Sequence, residues 1–189
     1  MEKKRVFLGI DLPEEIKNQI NILQKEIESI EVDAKFVEKE NLHINLKFFG
    51  DKNTEEKKNI TNQIEKVSKN FNGFNLGLKS IGVFPNENYI KVVWIGIESG
   101  KEELSNLQNQ LEKSFQDIDI EKEEREFVPH VTLCRIHSPK NKERIVEKIN
   151  EKKEETFGNF FVDKIILIKS ELSSEGPKYT KENIFELRK

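Results

Sequence analysis

The chain has 189 residues, enough for one domain of ordinary size or for two small lobes sharing a core. Hydrophobic and charged residues each make up 35%, and the apolar ones recur periodically, which excludes a disordered chain. The formal net charge of −3 excludes the broad basic excess of a protein that wraps duplex nucleic acid, so any nucleic-acid contact is local.

Residues 1–13, MEKKRVFLGIDLP, are basic at the start but lack the apolar run of a secretory signal, and residues 5–11 read as a short strand. Residues 13–30 place Ile16, Ile20, Leu23, Ile27 and Ile30 at steps of three and four, one face of a helix with Pro13 in its first turn. A loop over 31–39 leads to residues 42–49, which alternate: Leu42, Ile44, Leu46 and Phe48 on one face, His43, Asn45, Lys47 and Phe49 on the other. A second helical pattern starts near Thr54 and runs through Ile60, Ile64 and Val67, followed by a strand over 74–83 and a short loop at 84–88.

The same order then returns. Residues 91–98 read as a strand and residues 101–115 as a helix with Leu104, Leu107, Leu111 and Phe115 on one face. Residues 127–133 form a second histidine strand, Ile145, Val146 and Ile149 mark a short helix, and residues 160–172 and 178–187 close the chain as strands. VFLGID at 6–11 resembles VWIGIE at 93–98, and HINL at 43–46 resembles HVTL at 130–133. The offsets are 96 − 9 = 87 and 130 − 43 = 87, and two matches at one offset indicate an internal duplication. The chain is therefore expected to form a single domain over 1–189, with pseudo-repeats at about 5–88 and 91–175. Two lobes about a pseudo-twofold axis would then set His43 and Asn45 across a cleft from His130 and Thr132.

The chain holds three histidines, and two of them occupy equivalent repeat positions. Residues two apart on a strand share a face, so each strand offers an imidazole beside a hydrogen-bonding group, Asn45 or Thr132. Hydrolysis of a phosphodiester needs one group to take a proton from the attacking oxygen and another to give one to the leaving alkoxide. An imidazole serves both tasks near neutral pH, with polar neighbours for the non-bridging oxygens. A lone strand histidine is more often structural, but the paired placement favours a site. No clustered His, Cys, Asp or Glu spacing suggests a metal, and no cofactor is expected.

With these residues assembled, the chain resembles the RNA 2′,3′-cyclic phosphodiesterases, also called 2′-5′ RNA ligases, of the 2H phosphoesterase superfamily. The matching stretches are RVFLGIDLP (5–13), ENLHINLKFFG (40–50), GVFPNENYIKVVWIGI (82–97), FVPHVTLCR (127–135) and SELSSEGPKYTKENIFEL (170–187). The resemblance implies a bilobal α+β fold, two antiparallel sheets flanked by helices, with a cleft between the lobes. It implies His43 as proton donor and His130 as proton acceptor in opening a terminal 2′,3′-cyclic phosphate to a 2′-phosphate. In many members it also implies joining or cleavage of 2′-5′ linkages in tRNA halves.

The family's H-x-T-x motif is met by HVTL, whereas HINL places Asn45 where threonine is usual; an amide can still donate a hydrogen bond. Arg135 matches a basic position that approaches the phosphate, which requires the strand to end or bulge before it; the alternative is a surface arginine. Phe7, Lys47 and Tyr179 are candidates for the cleft wall or a base contact; core packing is the expected role of Phe7, as of Trp94, and Lys47 either raises the local positive potential or simply lies at the cleft rim. Cys134 reads as a small buried residue and His137 as an exposed turn residue. Two other readings stay open: a related enzyme acting on a small cyclic nucleotide, and a non-catalytic protein that binds RNA ends. The lone cysteine suits a reducing cytoplasm, no run reaches the length of a membrane span, and a monomer is the default for want of an interface signal.

Overall fold

The structure, a computed structural model, describes residues 3–172 and 176–189. Residues 173–175, inside the family-like closing stretch and at the end of the second repeat, lie outside the described residues, as do residues 1 and 2. In chain order the elements are β1 (Lys4–Asp11), α1 (Glu14–Glu28), β2 (Ala34–Phe36), β3 (His43–Lys52), α2 (Thr54–Ser68), β4 (Phe74–Asn86) and β5 (Tyr89–Ile97). There follow α3 (Lys101–Gln116), β6 (His130–Ile136), α4 (Lys142–Glu151), β7 (Thr156–Val162), β8 (Lys164–Leu172) and β9 (Pro177–Glu186).

The strands run β7-β4-β5-β6-β3-β1-β8-β9, every pair antiparallel, with β2 added beside β6. The fold is thus mixed α+β with a curled antiparallel sheet. Its two halves meet where β3 pairs β6, and the Cα partners at that seam are Ile44 and Val131, which the 87-residue offset equates. The first half is β3, β1, β8 and β9, and the second is β6, β5, β4 and β7. Each half therefore takes its third strand from the other sequence repeat: β8 flanks β1, and β4 flanks β5.

Helix positions follow from their apolar faces. Ile16, Ile20, Leu23 and Ile27 of α1, and Leu104, Leu107, Leu111 and Phe115 of α3, are all buried, as the periodicity predicts. Asn53 caps α2 reciprocally with Glu56: its side chain accepts from the Glu56 amide, and the Glu56 carboxylate accepts from the Asn53 amide. One continuous buried cluster draws on both halves, from Val6 and Leu8 to Val131, Leu133 and Leu167.

Three expectations are corrected. The apolar run at 160–172 is two strands, because Asp163 breaks it into an antiparallel change of partner: β7 pairs β4 and β8 pairs β1. The loop at 31–39 contains β2, which pairs with β6 over Ala34–Phe36. The alternation of residues 42–49 fails after Asn45. In the β1–β3 register Gly9 pairs Asn45 and Leu8 pairs Lys47, so Leu46 is an extra, bulged residue. Beyond it Lys47 and Phe49 turn into the core and Phe48 turns out, 52% exposed.

Candidate active site

β6 carries the mirror image of that bulge. Trp94 pairs Thr132 and Val93 pairs Cys134, so Leu133 is extra, and 133 − 46 is again 87. The irregularity puts Cys134 inside and Arg135 on the side of His130 and Thr132, as the requirement at Arg135 predicts. A cleft of about 520 Å³ lies over the seam, and His43, Asn45, Phe48, His130, Thr132 and Arg135 all line it. Phe7 and Tyr179 line it as well.

The two imidazoles are held alike. Nδ1 of His43 lies 2.7 Å from the carbonyl oxygen of Asn41, at the end of the short 3₁₀ turn Lys39–Asn41. Nδ1 of His130 lies 2.7 Å from the carbonyl oxygen of Val128. A carbonyl only accepts, so each Nδ1 carries a proton and donates it, which leaves Nε2 of both rings for chemistry. Glycine on the neighbouring strand makes the first placement possible: a Cβ on Gly9 would sit 2.8 Å from the Ile44 carbonyl oxygen and 3.4 Å from Cδ2 of His43.

Aromatic rings support each histidine. Phe7 lies 4.8 Å from the His43 ring and Tyr179 lies 5.6 Å away, edge-on. Phe84 lies 5.1 Å from the His130 ring and Trp94 lies 6.2 Å away. Phe7 and Trp94 are the same repeat position, and Phe7 combines its expected core packing with contact to the histidine ring. Phe7 is buried, but in a separate cluster with Ile166, Ile168 and Tyr179, and Trp94 is only half-buried. Sequence reasoning missed Phe84 and Phe48; the duplicated bulge was the signal for Phe48.

Burial pushes both imidazoles below the ordinary histidine value. For His43 the Asn41 carbonyl and the Asp11 carboxylate push back, while His130 and Lys17 add to the lowering. For His130 the Val128 carbonyl pushes back and Arg135 adds to the lowering. Both rings are therefore largely neutral at pH 7 before substrate binds, and a bound phosphate anion would favour their protonated forms. Burial likewise raises the Tyr179 phenol. Burial pushes the Cys134 thiol up to about 12, which makes it a packing residue and not a nucleophile.

Lys47 does not belong to this cleft. Its ammonium is buried, 3.0 Å from the Glu112 carboxylate of α3, and it also donates to the carbonyl oxygen of Glu121 at 2.8 Å. The bulge at Leu46 is the reason. His137 is exposed just beyond β6, with Nδ1 3.6 Å from Asp33.

A duplicated, curled antiparallel sheet with a twofold-related pair of histidines in a cleft at its seam defines a two-histidine phosphoesterase fold. The chain belongs to the 2′-5′ RNA ligase superfamily, whose sequence model matches residues 12–173. A protein of Methanothermobacter thermautotrophicus named RNA 2′,3′-cyclic phosphodiesterase is 37% identical over 185 residues, 98% of this chain and 100% of its own length. One of Methanocaldococcus jannaschii with the same name is 39% identical over 181 residues, 93% of this chain and 96% of its own. Among solved structures, TT0787 of Thermus thermophilus superimposes with a TM-score of 0.81 at 26% identity, covering 97% of this chain and 98% of its own. Escherichia coli LigT complexed with 3′-AMP superimposes at 0.79 and 25% identity over the whole of both chains. No described helix is long and apolar enough to cross a membrane.

Proposed function

We propose that this protein is an RNA 2′,3′-cyclic phosphodiesterase that opens the terminal cyclic phosphate to a 2′-phosphate without a metal. His130 takes a proton from water through Nε2 as the water oxygen bonds to phosphorus. The bond from phosphorus to O3′ breaks, and His43 gives its Nε2 proton to that oxygen. A 2′-phosphate and a free 3′-hydroxyl result, and the two rings end with their protonation states exchanged. Asn45, Thr132 and Arg135 hold the non-bridging oxygens as charge gathers on them. With the 5′-hydroxyl of a second RNA in place of water, as at the break between tRNA halves, the same transfers leave a 2′-5′ linkage.

The observation that carries this reading is the matched pair of Nδ1–carbonyl hydrogen bonds, which leaves one Nε2 from each half to act on a common group. Full-length relatives named for the reaction support it. The experiment is hydrolysis of a short RNA ending in a 2′,3′-cyclic phosphate, in EDTA, with the phosphate position of the product identified. A 2′-phosphate is expected. A 3′-phosphate would reverse the regiochemistry, and loss of turnover in EDTA restored by a divalent ion would overturn the metal-free mechanism.

A further inference from the structure

The two halves match so closely at the histidines that something must decide which ring donates and which accepts. The difference lies beside His43, on the neighbouring strand. Asp11 ends β1 and is the Cα partner of His43 in the β1–β3 ladder. One oxygen of its carboxylate lies 2.6 Å from Nζ of Lys17, on α1, whose side chain is only 7% exposed. The other lies 2.5 Å from Nζ of Lys181, on β9. Lys17 also donates to the carbonyl oxygen of Glu40 at 3.1 Å, one residue before Asn41, whose own carbonyl holds the His43 ring. The clamp is thus tied to the turn that orients the imidazole.

Among the described residues the other half has no counterpart. The repeat position of Asp11 is Glu98, which is 53% exposed and paired with Lys79, 2.9 Å away. The repeat position of Lys17 is Leu104, a core residue. The charge that acts on His130 is instead the cation Arg135. Other titratable groups around His43 do not favour its protonated form. His130 from the far half and Lys17 both push the ring the other way, with Asp11 the larger charge effect. Tyr179 is kept a neutral phenol by burial, and Lys35 and Glu38 line the cleft with opposite charges.

Resting on the reaction proposed above, the geometry points to Asp11 as a positioning residue: clamped between Lys17 and Lys181 on the strand beside His43, its carboxylate breaks the twofold equivalence and makes His43 the proton donor. Asp11 touches no reacting atom. It acts through the imidazole, by favouring the protonated ring that a donor must start from.

The test follows the imidazole resonances of His43, His130 and exposed His137 by NMR titration, in the unaltered protein and in Asp11→Asn, Lys181→Gln and Glu98→Gln. Asp11→Asn is expected to lower the His43 midpoint by about one pH unit, a tenfold change in proton affinity, and to leave His130 in place. Lys181→Gln, at a 55% exposed side chain, uncovers the Asp11 charge and is expected to move His43 upward, so the idea stands testable even if Asp11→Asn fails to fold. Glu98→Gln should move neither midpoint. In turnover of the cyclic phosphate, the alkaline limb of kcat/KM should follow His43 in each variant, which a merely structural role would not produce. An unmoved His43 midpoint, or an equal shift at His130, overturns the role of Asp11 alone. Absence of turnover by the unaltered protein overturns the parent reaction, and the donor role with it.

Discussion

Phe48 and Arg135 stand at the same position of the two repeats, each on the cleft face just beyond a bulge at Leu46 or Leu133. One half of the cleft therefore ends in an exposed aromatic ring and the other in a guanidinium. Arg135→Gln should lower kcat/KM on the cyclic phosphate by at least tenfold, since one hydrogen bond to a charged group is worth about 1.5–3 kcal/mol. Phe48→Ala should leave kcat nearly intact and raise KM for RNA more than for a cyclic phosphate lacking a base, because stacking contributes about 1–3 kcal/mol per base. Steady-state kinetics on both substrates separate the two effects, and a fall in kcat alone for Phe48→Ala would contradict the platform role.

The direction of the histidine shifts sets the pH dependence. Both rings lie below the ordinary value of 6.5 before substrate binds, burial being the main cause. The profile of kcat/KM reports the free enzyme, where the acceptor must be neutral and the donor protonated. It should be a bell whose maximum lies on the acid side of pH 6.5. Replacing either ring, His43→Ala or His130→Ala, should lower kcat by about 10²–10⁴-fold and remove one limb of the bell. A maximum well above pH 7 would contradict the burial argument.

The duplication was the legible part of this chain. An offset read from two short matches located His43, His130, Asn45 and Thr132, and the structure brings all four to one cleft. The same offset, pressed further, would have transferred the bulge required before Arg135 to Leu46 and turned Lys47 inward. Strand alternation hid it, because LKFF satisfies either register. The exchange of β4 and β8 between halves was not legible, since strand pairing is a tertiary choice that local pattern leaves open. Aromatic support for the rings was legible only in part: Phe7 and Tyr179 were cleft-wall candidates, whereas Phe84 and Trp94 have the composition of loop and core residues, and only the sheet's curl sets them beside an imidazole.

Lys47 tests that correction directly. A cleft residue would affect turnover; a buried cation paired with Glu112 affects folding. Lys47→Met should cost about 3–5 kcal/mol by leaving the Glu112 carboxylate buried and unpaired. The double replacement Lys47→Met, Glu112→Leu should recover much of that loss. Urea denaturation measures both, with KM for the cyclic phosphate expected to stay near that of the unaltered protein in the double variant.

Asn45 departs from the threonine of its repeat mate, Thr132, yet it lines the same cleft. An amide and a hydroxyl can both donate to a phosphate oxygen, though the amide reaches further from the backbone. Asn45→Thr should therefore keep or raise kcat/KM, whereas Asn45→Ala should lower it by about tenfold, the net value of one hydrogen bond to a charged oxygen. A collapse of activity in Asn45→Thr would mean that the cleft is shaped around the longer side chain.

Cys134 occupies the inward position after the β6 bulge, fully buried between β5 and β2, beside Val93 and Phe36. Burial holds its thiol at about 12, so at pH 8 almost none is thiolate, and thiolate is the reactive form. A thiol reagent such as iodoacetamide should leave the native protein unmodified and active over hours at that pH, and should label one equivalent once urea unfolds the chain. Cys134→Ala should retain the kcat of the unaltered protein, with a loss confined to stability. Rapid labelling of the native state would mean that this part of β6 opens to solvent, and with it the strand that carries His130.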